Sequence, residues 1–219
     1  MSKRFLGILA ALIVIFVAVV VINNQGSSTN SAGKVSDHVE GLGKDHVTLV
    51  EYGDYQCPYC GQYYSIVSQV YNEYKNDITF QFINFPLTSL HPNAFAGARA
   101  AEAASLMGKF WQMHDLLYET NVQYYASNDT ISSWISASNP LSYFDTFAKQ
   151  LGLNVNKFNQ YYNSSQVNNT IEADMAKGNK LGIDATPTFF LDGKQIQPIE
   201  SVASFQKYIN AAIAQKTKA

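Results

Sequence analysis

Hydrophobic and polar positions alternate along the chain in a way that predicts strands and helices from about residue 47 onward. Residues 47–52 are β-branched and apolar on both faces, as in a strand at the middle of a sheet, with Glu51 as the one exception. Apolar side chains then recur at helical spacing after Pro58, which can begin a helix as its first-turn proline. Residues 78–85 predict a second strand that stops at Pro86. Together these segments predict a βαβ unit.

The other end of the chain predicts a hairpin followed by a helix. Residues 187–191 and 194–197 flank the dipeptide Asp192-Gly193, which favours a two-residue hairpin turn. Ser201 can cap a final helix, and the apolar face of that helix would contain Val202, Phe205, Ile209 and Ile213. This end therefore predicts a ββα unit.

Helical periodicity dominates the segment between the two units. It predicts one helix marked by Ala94, a second marked by Phe110, a third that begins at Asn139-Pro140, and a fourth from about Val155 to Gly178 or Gly182. The predicted fold class is α/β, with the βαβ and ββα halves separated by a helical insertion. We place the first half at residues 34–90, the inserted helical domain at 91–182 and the second half at 183–219.

The N-terminal residues predict a membrane anchor and a tether. Lys3 and Arg4 precede an apolar run over residues 5–22, which would cover about 27 Å as a helix, just enough to cross a bilayer. The basic flank should stay in the cytoplasm, which would place the remainder of the chain outside. We therefore predict a signal anchor at 1–22 and a flexible Ser/Gly/Asn-rich tether at 23–33. A cleaved signal peptide is the alternative, although no small-x-small site ends the run.

Composition limits the possible partners. The 219 residues are 47% hydrophobic, which excludes a disordered chain, and 15 basic side chains face 17 acidic ones. The net charge of -2 offers no electrostatic basis for binding nucleic acid. We expect no nucleic-acid partner.

The candidate chemistry lies in Cys57-Pro58-Tyr59-Cys60, which holds the only two cysteines of the chain. The motif falls where a buried strand gives way to a helix. The free backbone N–H groups and the dipole of a helix N-terminus stabilise a thiolate, so the pKa of Cys57 should fall below its ordinary value. Cys60, one turn further on, would be the less exposed, resolving thiol. This context favours redox chemistry by a Cys57-Cys60 disulfide, with no metal and no other cofactor.

A structural disulfide and a zinc site are the two alternative interpretations of the cysteines. A structural disulfide between residues this close would close too small a loop to stabilise much. A zinc site would need four ligands, and the remaining candidates, His38, His46, His91 and His114, show no paired spacing. Neither explains the position of the motif as well as redox chemistry does.

Two segments closely resemble the DsbA-like branch of the thioredoxin superfamily: Glu51-Tyr-Gly-Asp-Tyr-Gln-Cys-Pro-Tyr-Cys60 and Ile183-Asp-Ala-Thr-Pro-Thr-Phe-Phe190. Residues 85–87, 91–94 and 109–117 are similar to the helical region of that branch, and the resemblance covers about residues 35–214. It implies a thioredoxin fold with an inserted helical domain, and the activity of a thiol:disulfide oxidoreductase.

The resemblance places a buried acid at Glu51, beneath the active site. A carboxyl group in a buried strand has a raised pKa and could exchange a proton with Cys60 during thiol–disulfide exchange. The alternative is an acid turned to solvent at a strand end. Asp54, in the loop, ranks second as a proton acceptor.

Thr186-Pro187 matches the cis-proline of that family, with its preceding residue. The resemblance implies that the backbone amide and carbonyl of Thr186 are free to pair with an extended substrate. An ordinary trans proline at the start of an edge strand is the alternative. The Pro58-Tyr59 dipeptide of the active-site turn differs from the Pro-His usual in DsbA proteins, so the strength of this protein as an oxidant is not set by the resemblance.

The expected function is extracytoplasmic disulfide donation, by a monomer tethered to the cell membrane, to unfolded exported polypeptides with free thiols. The resemblance implies reoxidation by a quinone-linked membrane partner of the DsbB or vitamin K epoxide reductase (VKOR) type. Two alternatives stay open. One is a disulfide reductase or isomerase with the same site, and the other is a non-enzymatic chaperone that binds exported chains.

Overall fold

The computed structural model describes residues 33–197 and 201–218. The strands in this part of the chain are β1 (His38–Glu40), β2 (Val47–Gly53), β3 (Ile78–Asn84), β4 (Thr188–Leu191) and β5 (Lys194–Ile196). Its helices are α1 (Pro58–Tyr74), α2 (Ala94–Ser105), α3 (Phe110–Ala126), α4 (Leu141–Gln150), α5 (Val155–Tyr162), α6 (Ser165–Lys180) and α7 (Val202–Lys216).

The five strands form one mixed sheet in the order β1-β3-β2-β4-β5. β2 and β3 are parallel, as the predicted βαβ unit requires, and Glu51 is paired with Phe82. β4 runs antiparallel to β2 and places Phe189 opposite Glu51. The sheet therefore joins the two halves of the thioredoxin-like fold through its central strand, β2.

Apolar side chains cover both faces of the sheet. α1 and α7 pack on one face, around Val70 and Phe205. The other face carries Tyr52 and Phe85, and α6 approaches them at Gly178. A third apolar cluster, built largely from α2, α3, α4 and α5, also contains Cys57 and Cys60. The helical insertion thus encloses the cysteine pair from one side.

A buried polar cluster ties the chain before β1 to β3 and α6. Asp174 on α6 accepts hydrogen bonds from the backbone N–H and the hydroxyl of Ser36, both at 2.7 Å. It also accepts from the backbone N–H and the side-chain amide of Asn84 at 3.2 and 3.0 Å. The same amide donates to Glu102 at 2.6 Å, and Glu102 pairs with His38 on β1. These bonds satisfy buried polar groups that would otherwise destabilise the fold.

Three details differ from the sequence-based predictions. The helix predicted from about Val155 is two helices, α5 and α6, because Ser164 adopts an extended conformation and its hydroxyl accepts a hydrogen bond from the Val167 N–H. α4 begins after Pro140 rather than with it, and Pro140 occupies the cap position. β1 was not predicted, since three residues are too few to show an alternating pattern.

The predicted anchor at 1–22, and the predicted tether at 23–33 except for its last residue, lie outside the described residues. Within 33–197 and 201–218, no helix combines the length and the apolar character that a bilayer span requires.

Candidate active site

The cysteine motif lies at the junction between β2 and α1. β2 ends at Gly53, and a short turn closed by a 3.1 Å hydrogen bond from Cys57 N to Asp54 O leads into the helix. Cys57 is the extended N-cap residue, and Pro58 opens the first turn as predicted. Both cysteines are free thiols, with Cys57 3% exposed and Cys60 fully buried. Cys57 is therefore the more accessible sulfur.

The environments of the two thiols drive their pKa values apart. The hydrogen bond from the Cys60 thiol, and then that from the Cys60 backbone N–H, lower the pKa of Cys57 to about 6, against the opposing effect of burial. Burial, followed by the interaction with Cys57, raises the pKa of Cys60 well above its usual range. At neutral pH the pair holds one thiolate, at Cys57, and one thiol, at Cys60.

Glu51 is buried, at 2% exposure, rather than turned to solvent. Burial, and then the charge on Cys57, raise the pKa of Glu51 to about 8. Its Oε1 atom has no hydrogen-bond partner among the described residues. Glu51 also lines a cleft of about 280 Å³ together with side chains of α1 and α3, including Tyr64 and Asp115. The carboxyl is thus protonated at neutral pH. It lies close enough to Cys57 and Cys60 for an ionised Glu51 to interact electrostatically with each of them.

The peptide bond between Thr186 and Pro187 is cis. The Thr186 carbonyl accepts a hydrogen bond from Cys57 Sγ at 3.4 Å, so in this dithiol form the carbonyl is engaged rather than free. A groove of about 410 Å³ runs beside this loop and is lined in part by Tyr59, Tyr63 and Phe189. Tyr59 is 63% exposed. The arrangement brings Thr186, Pro187 and the active-site turn to one surface.

Asp54 is fully engaged in shaping the active-site loop. Its Oδ1 atom accepts from the Gln56 N–H at 2.8 Å, and its Oδ2 atom accepts from the Leu87 N–H at 2.9 Å and pairs with His91 Nδ1 at 2.7 Å. The hydrogen bond to Asp54 is the main cause that raises the pKa of His91. His114 is buried against aromatic rings, and burial lowers its pKa to about 3. These contacts hold the active-site loop and the aromatic cluster around His114 in place.

The sequence did not indicate two polar side chains of α3 that contact the active-site loop. Asn121 donates to the carbonyls of Tyr55 and Cys57, and Tyr125 donates to the carbonyl of Gln56. Both lie more than sixty residues from the motif, on a helix that carries several other polar residues. No local pattern marks such residues, because only the folded chain brings them to the loop.

The described part of the chain contains no group of three or more His, Cys, Asp or Glu side chains arranged to hold a metal ion.

Comparisons with known proteins agree with this geometry. A family model described as Thioredoxin matches residues 34–211. A thioredoxin-like oxidoreductase from Silicibacter pomeroyi DSS-3 superposes with a TM-score of 0.63 at 25% identity, covering 83% of this chain and 92% of that one. Oxidised BdbD from Bacillus subtilis superposes with a TM-score of 0.69 at 23% identity, covering 84% and 97%.

The curated relatives that match this chain include proteins named as antiporters rather than as thioredoxin-like proteins. The Na(+)/H(+) antiporter NhaA 1 of Mycolicibacterium gilvum (strain PYR-GCK) is 32% identical over 178 residues, which are 80% of this chain and 26% of the antiporter. A similar match is found with NhaA 1 of Salinispora arenicola (strain CNS-205), at 32% identity and 25% of its length. The chain spans about a quarter of the length of these relatives.

The fold, with a pair of free cysteines at the start of α1, is that of the thioredoxin superfamily. The chain belongs to the thioredoxin family, over nearly all of the residues that the structure describes.

Proposed function

We propose that this protein donates its Cys57–Cys60 disulfide to unfolded exported polypeptides outside the cytoplasm. The observation that carries the proposal is the opposed shift of the two thiol pKa values, to about 6 at Cys57 and upward at Cys60. A stable thiolate at Cys57 stabilises the reduced form, and this makes the disulfide the more oxidising partner in exchange.

The exchange consists of two substitutions at sulfur. A substrate thiolate attacks Cys57 Sγ, a mixed disulfide forms, and Cys60 leaves and takes up a proton. A second substrate thiolate then attacks the substrate sulfur of the mixed disulfide, and Cys57 leaves as a thiolate. The substrate dithiol has been oxidised by two electrons and the cysteine pair reduced by two.

Glu51 would act as the proton carrier for Cys60 in this scheme. Its pKa of about 8 makes it a proton donor near neutral pH when Cys60 leaves, and a proton acceptor when the Cys60 thiol attacks in the reverse direction. Because burial raises the pKa of Cys60, that sulfur requires its proton before the reduced pair is stable.

Substrate would lie in the groove beside Thr186 and Pro187. Once Cys57 is in a disulfide it has no S–H to donate, so the Thr186 carbonyl becomes available to a backbone N–H of an extended substrate. The exposed ring of Tyr59 and the half-buried ring of Tyr63 offer this substrate apolar contact without selecting one sequence.

The proposal includes a monomer, tethered to the membrane, whose reduced form is reoxidised by a quinone-linked partner of the DsbB or VKOR type. A tether would raise the local concentration of the protein near such a partner. Labelling of Cys57 with a membrane-impermeant maleimide, in intact cells first treated with a membrane-impermeant reductant that opens the Cys57–Cys60 disulfide, tests the location, and a cytoplasmic thiol protein that stays unlabelled is the control. Labelling only after lysis would place the domain inside.

The decisive experiment is the redox equilibrium of the cysteine pair with glutathione, combined with oxidation of a reduced, unfolded polypeptide that contains two thiols. We expect a potential well above the value of about −270 mV typical of thioredoxin, and turnover that Cys57→Ser abolishes. A potential near that of thioredoxin would favour a reductase instead. Suppressed aggregation without oxidation, unchanged in Cys57→Ser, would favour a chaperone.

A further inference from the structure

Three consecutive backbone carbonyls of the active-site loop are bound by two side chains of the helical insertion. The Asn121 side-chain amide donates to Tyr55 O at 2.9 Å and to Cys57 O at 3.1 Å. The hydroxyl of Tyr125 donates to the intervening carbonyl, Gln56 O, at 3.0 Å. Asn121 and Tyr125 are one turn apart on α3, so one face of this helix contacts the whole segment that ends at Cys57.

The contact depends on a close approach of two helices. Asn121 is fully buried, and its Oδ1 atom lies directly over Gly61, the fourth residue of α1. A Cβ atom at Gly61 would fall 1.9 Å from this oxygen, so only glycine leaves room for the Asn121 side chain. The bonded carbonyls are themselves buried with their residues, and a lost donor would leave them unsatisfied.

Cys57 is therefore held on two sides. Its carbonyl accepts from Asn121 and from the Gly61 N–H at 3.2 Å, while its sulfur contacts the Thr186 carbonyl at 3.4 Å. Since the carbonyl and the side chain share one α-carbon, a rotation of the loop would move the sulfur away from the Cys60 N–H and thiol. Donors on the three oxygens also offset the negative ends of carbonyl dipoles next to the thiolate.

We propose that Asn121 and Tyr125 are positioning residues that hold the loop before Cys57, and that through this contact the helical insertion sets the reactivity of the Cys57 thiolate. Neither residue takes part in bond formation. The inference rests on thiol–disulfide exchange at Cys57, but it is independent of the direction in which that exchange runs.

Two single variants and one control test the proposal. Tyr125→Phe removes only the hydroxyl that bonds to Gln56 O, and Asn121→Leu removes both of the other bonds at similar volume. Tyr124→Phe makes the same chemical change at the neighbouring residue, whose ring packs against Tyr125 but whose hydroxyl does not bond to the loop. Circular dichroism and urea unfolding establish that each variant is folded.

The first readout is the titration of the Cys57 thiol, monitored by the absorbance of its thiolate near 240 nm. The second is the equilibrium constant for oxidation of glutathione by the Cys57–Cys60 disulfide. We expect the thiol to titrate at higher pH and the equilibrium constant to fall about threefold in Tyr125→Phe and about tenfold in Asn121→Leu, with Tyr124→Phe unchanged. A stability loss without a change in either readout would overturn the proposal.

Tyr125→Phe alone decides the question if Asn121→Leu does not fold, because it removes a single hydroxyl from a half-buried side chain. Failure of the proposed function would give a different result: the wild-type pair would have a potential near that of thioredoxin, while the variants would still differ from the wild type. A wild type with a lowered thiol pKa and variants identical to it would refute only the positioning role.

Discussion

Cys57 Sγ lies 3.4 Å from the carbonyl oxygen of Thr186, a residue 129 positions further along the chain. The carbonyl accepts the S–H proton while Cys57 is a thiol, and it is released when the sulfur enters a disulfide. The same atom is thus paired with Cys57 only while that sulfur carries a proton, and it is open when Cys57 is a thiolate or is in a disulfide. This relationship links both the protonation and the oxidation of Cys57 to the availability of the Thr186 carbonyl.

Cys60 provides the largest stabilisation of the Cys57 thiolate, and this can be tested with two substitutions at one position. Cys60→Ala removes the donor, so the pKa of Cys57 should rise from about 6 towards that of an ordinary thiol. Cys60→Ser retains an O–H donor and should keep the pKa of Cys57 low. The rate of alkylation by iodoacetamide between pH 4 and pH 10 measures both. Equal profiles for the two variants would contradict the assigned cause.

Glu51→Gln should stabilise the fold while it slows the exchange. The folded-state pKa of about 8 lies above the ordinary carboxyl value of 4.5, so the contribution of Glu51 to stability is fully present below about pH 4.5 and is lost as the pH rises towards 8. The Gln variant does not titrate, and its advantage should grow by about 1.4 kcal/mol per pH unit across this window. Proton transfer to and from Cys60 should become slower.

Urea unfolding of the oxidised protein at several pH values measures the part of this advantage that burial causes, because the disulfide removes the charge on Cys57. Glu119→Gln, at an exposed position of the same protein, is the matched control. An advantage of Glu51→Gln that did not change with pH would show that the carboxyl is not buried as described.

Gly178→Ala should destabilise the protein although alanine favours helices. A Cβ at this position in α6 would lie 2.5 Å from the ring of Phe85, so the helix or the ring must move. Overpacking of this kind costs about 1–3 kcal/mol, which exceeds the gain of up to ~1 kcal/mol from helix propensity. Lys177→Ala, exposed on the same helix, should change the free energy of unfolding little. A stabilised Gly178→Ala would show that α6 does not pack closely on the sheet.

Asp174→Ala should lower the free energy of unfolding more than a substitution that removes only one of the hydrogen bonds to Asp174. It leaves the N–H and hydroxyl of Ser36 and the backbone N–H of Asn84 without this acceptor, whereas the Asn84 amide keeps its bond to Glu102. Each unsatisfied buried donor costs about 1–3 kcal/mol, so we expect a loss of at least ~3 kcal/mol in urea unfolding. Ser36→Ala removes one of the four bonds and should cost about 1 kcal/mol. Similar losses in both variants would mean that Asp174 does not organise the cluster.

The sequence pattern predicted those features that depend on neighbouring residues. Alternation and helical spacing located the βαβ and ββα halves, the start of α1 at Pro58 and the cap at Ser201, whose hydroxyl accepts from the Ser204 N–H. The burial of Glu51 was implied by the family resemblance rather than by the local pattern, and Glu51 is buried. The strands, helices and caps could be predicted because each depends on a short run of neighbouring residues.

Other features arise from contacts between distant segments and left no local trace. β1 exists because it pairs with β3, and its three residues alone do not define a strand. Asn121 and Tyr125 look like ordinary polar positions on α3 until the fold brings the loop beside them. The roles assigned to Glu51, Thr186 and Pro187, like the membrane anchor, stay predictions.

The two-sided hold on Cys57 has a consequence for synthesis on the ribosome. A nascent chain that has reached residue 60 contains the complete motif, yet neither Asn121 nor Thr186 has been made. Until both have joined the fold, Cys57 has its neighbour Cys60 but not the distant contacts to its carbonyl and its sulfur, so its final surroundings can form only after translation has passed residue 186.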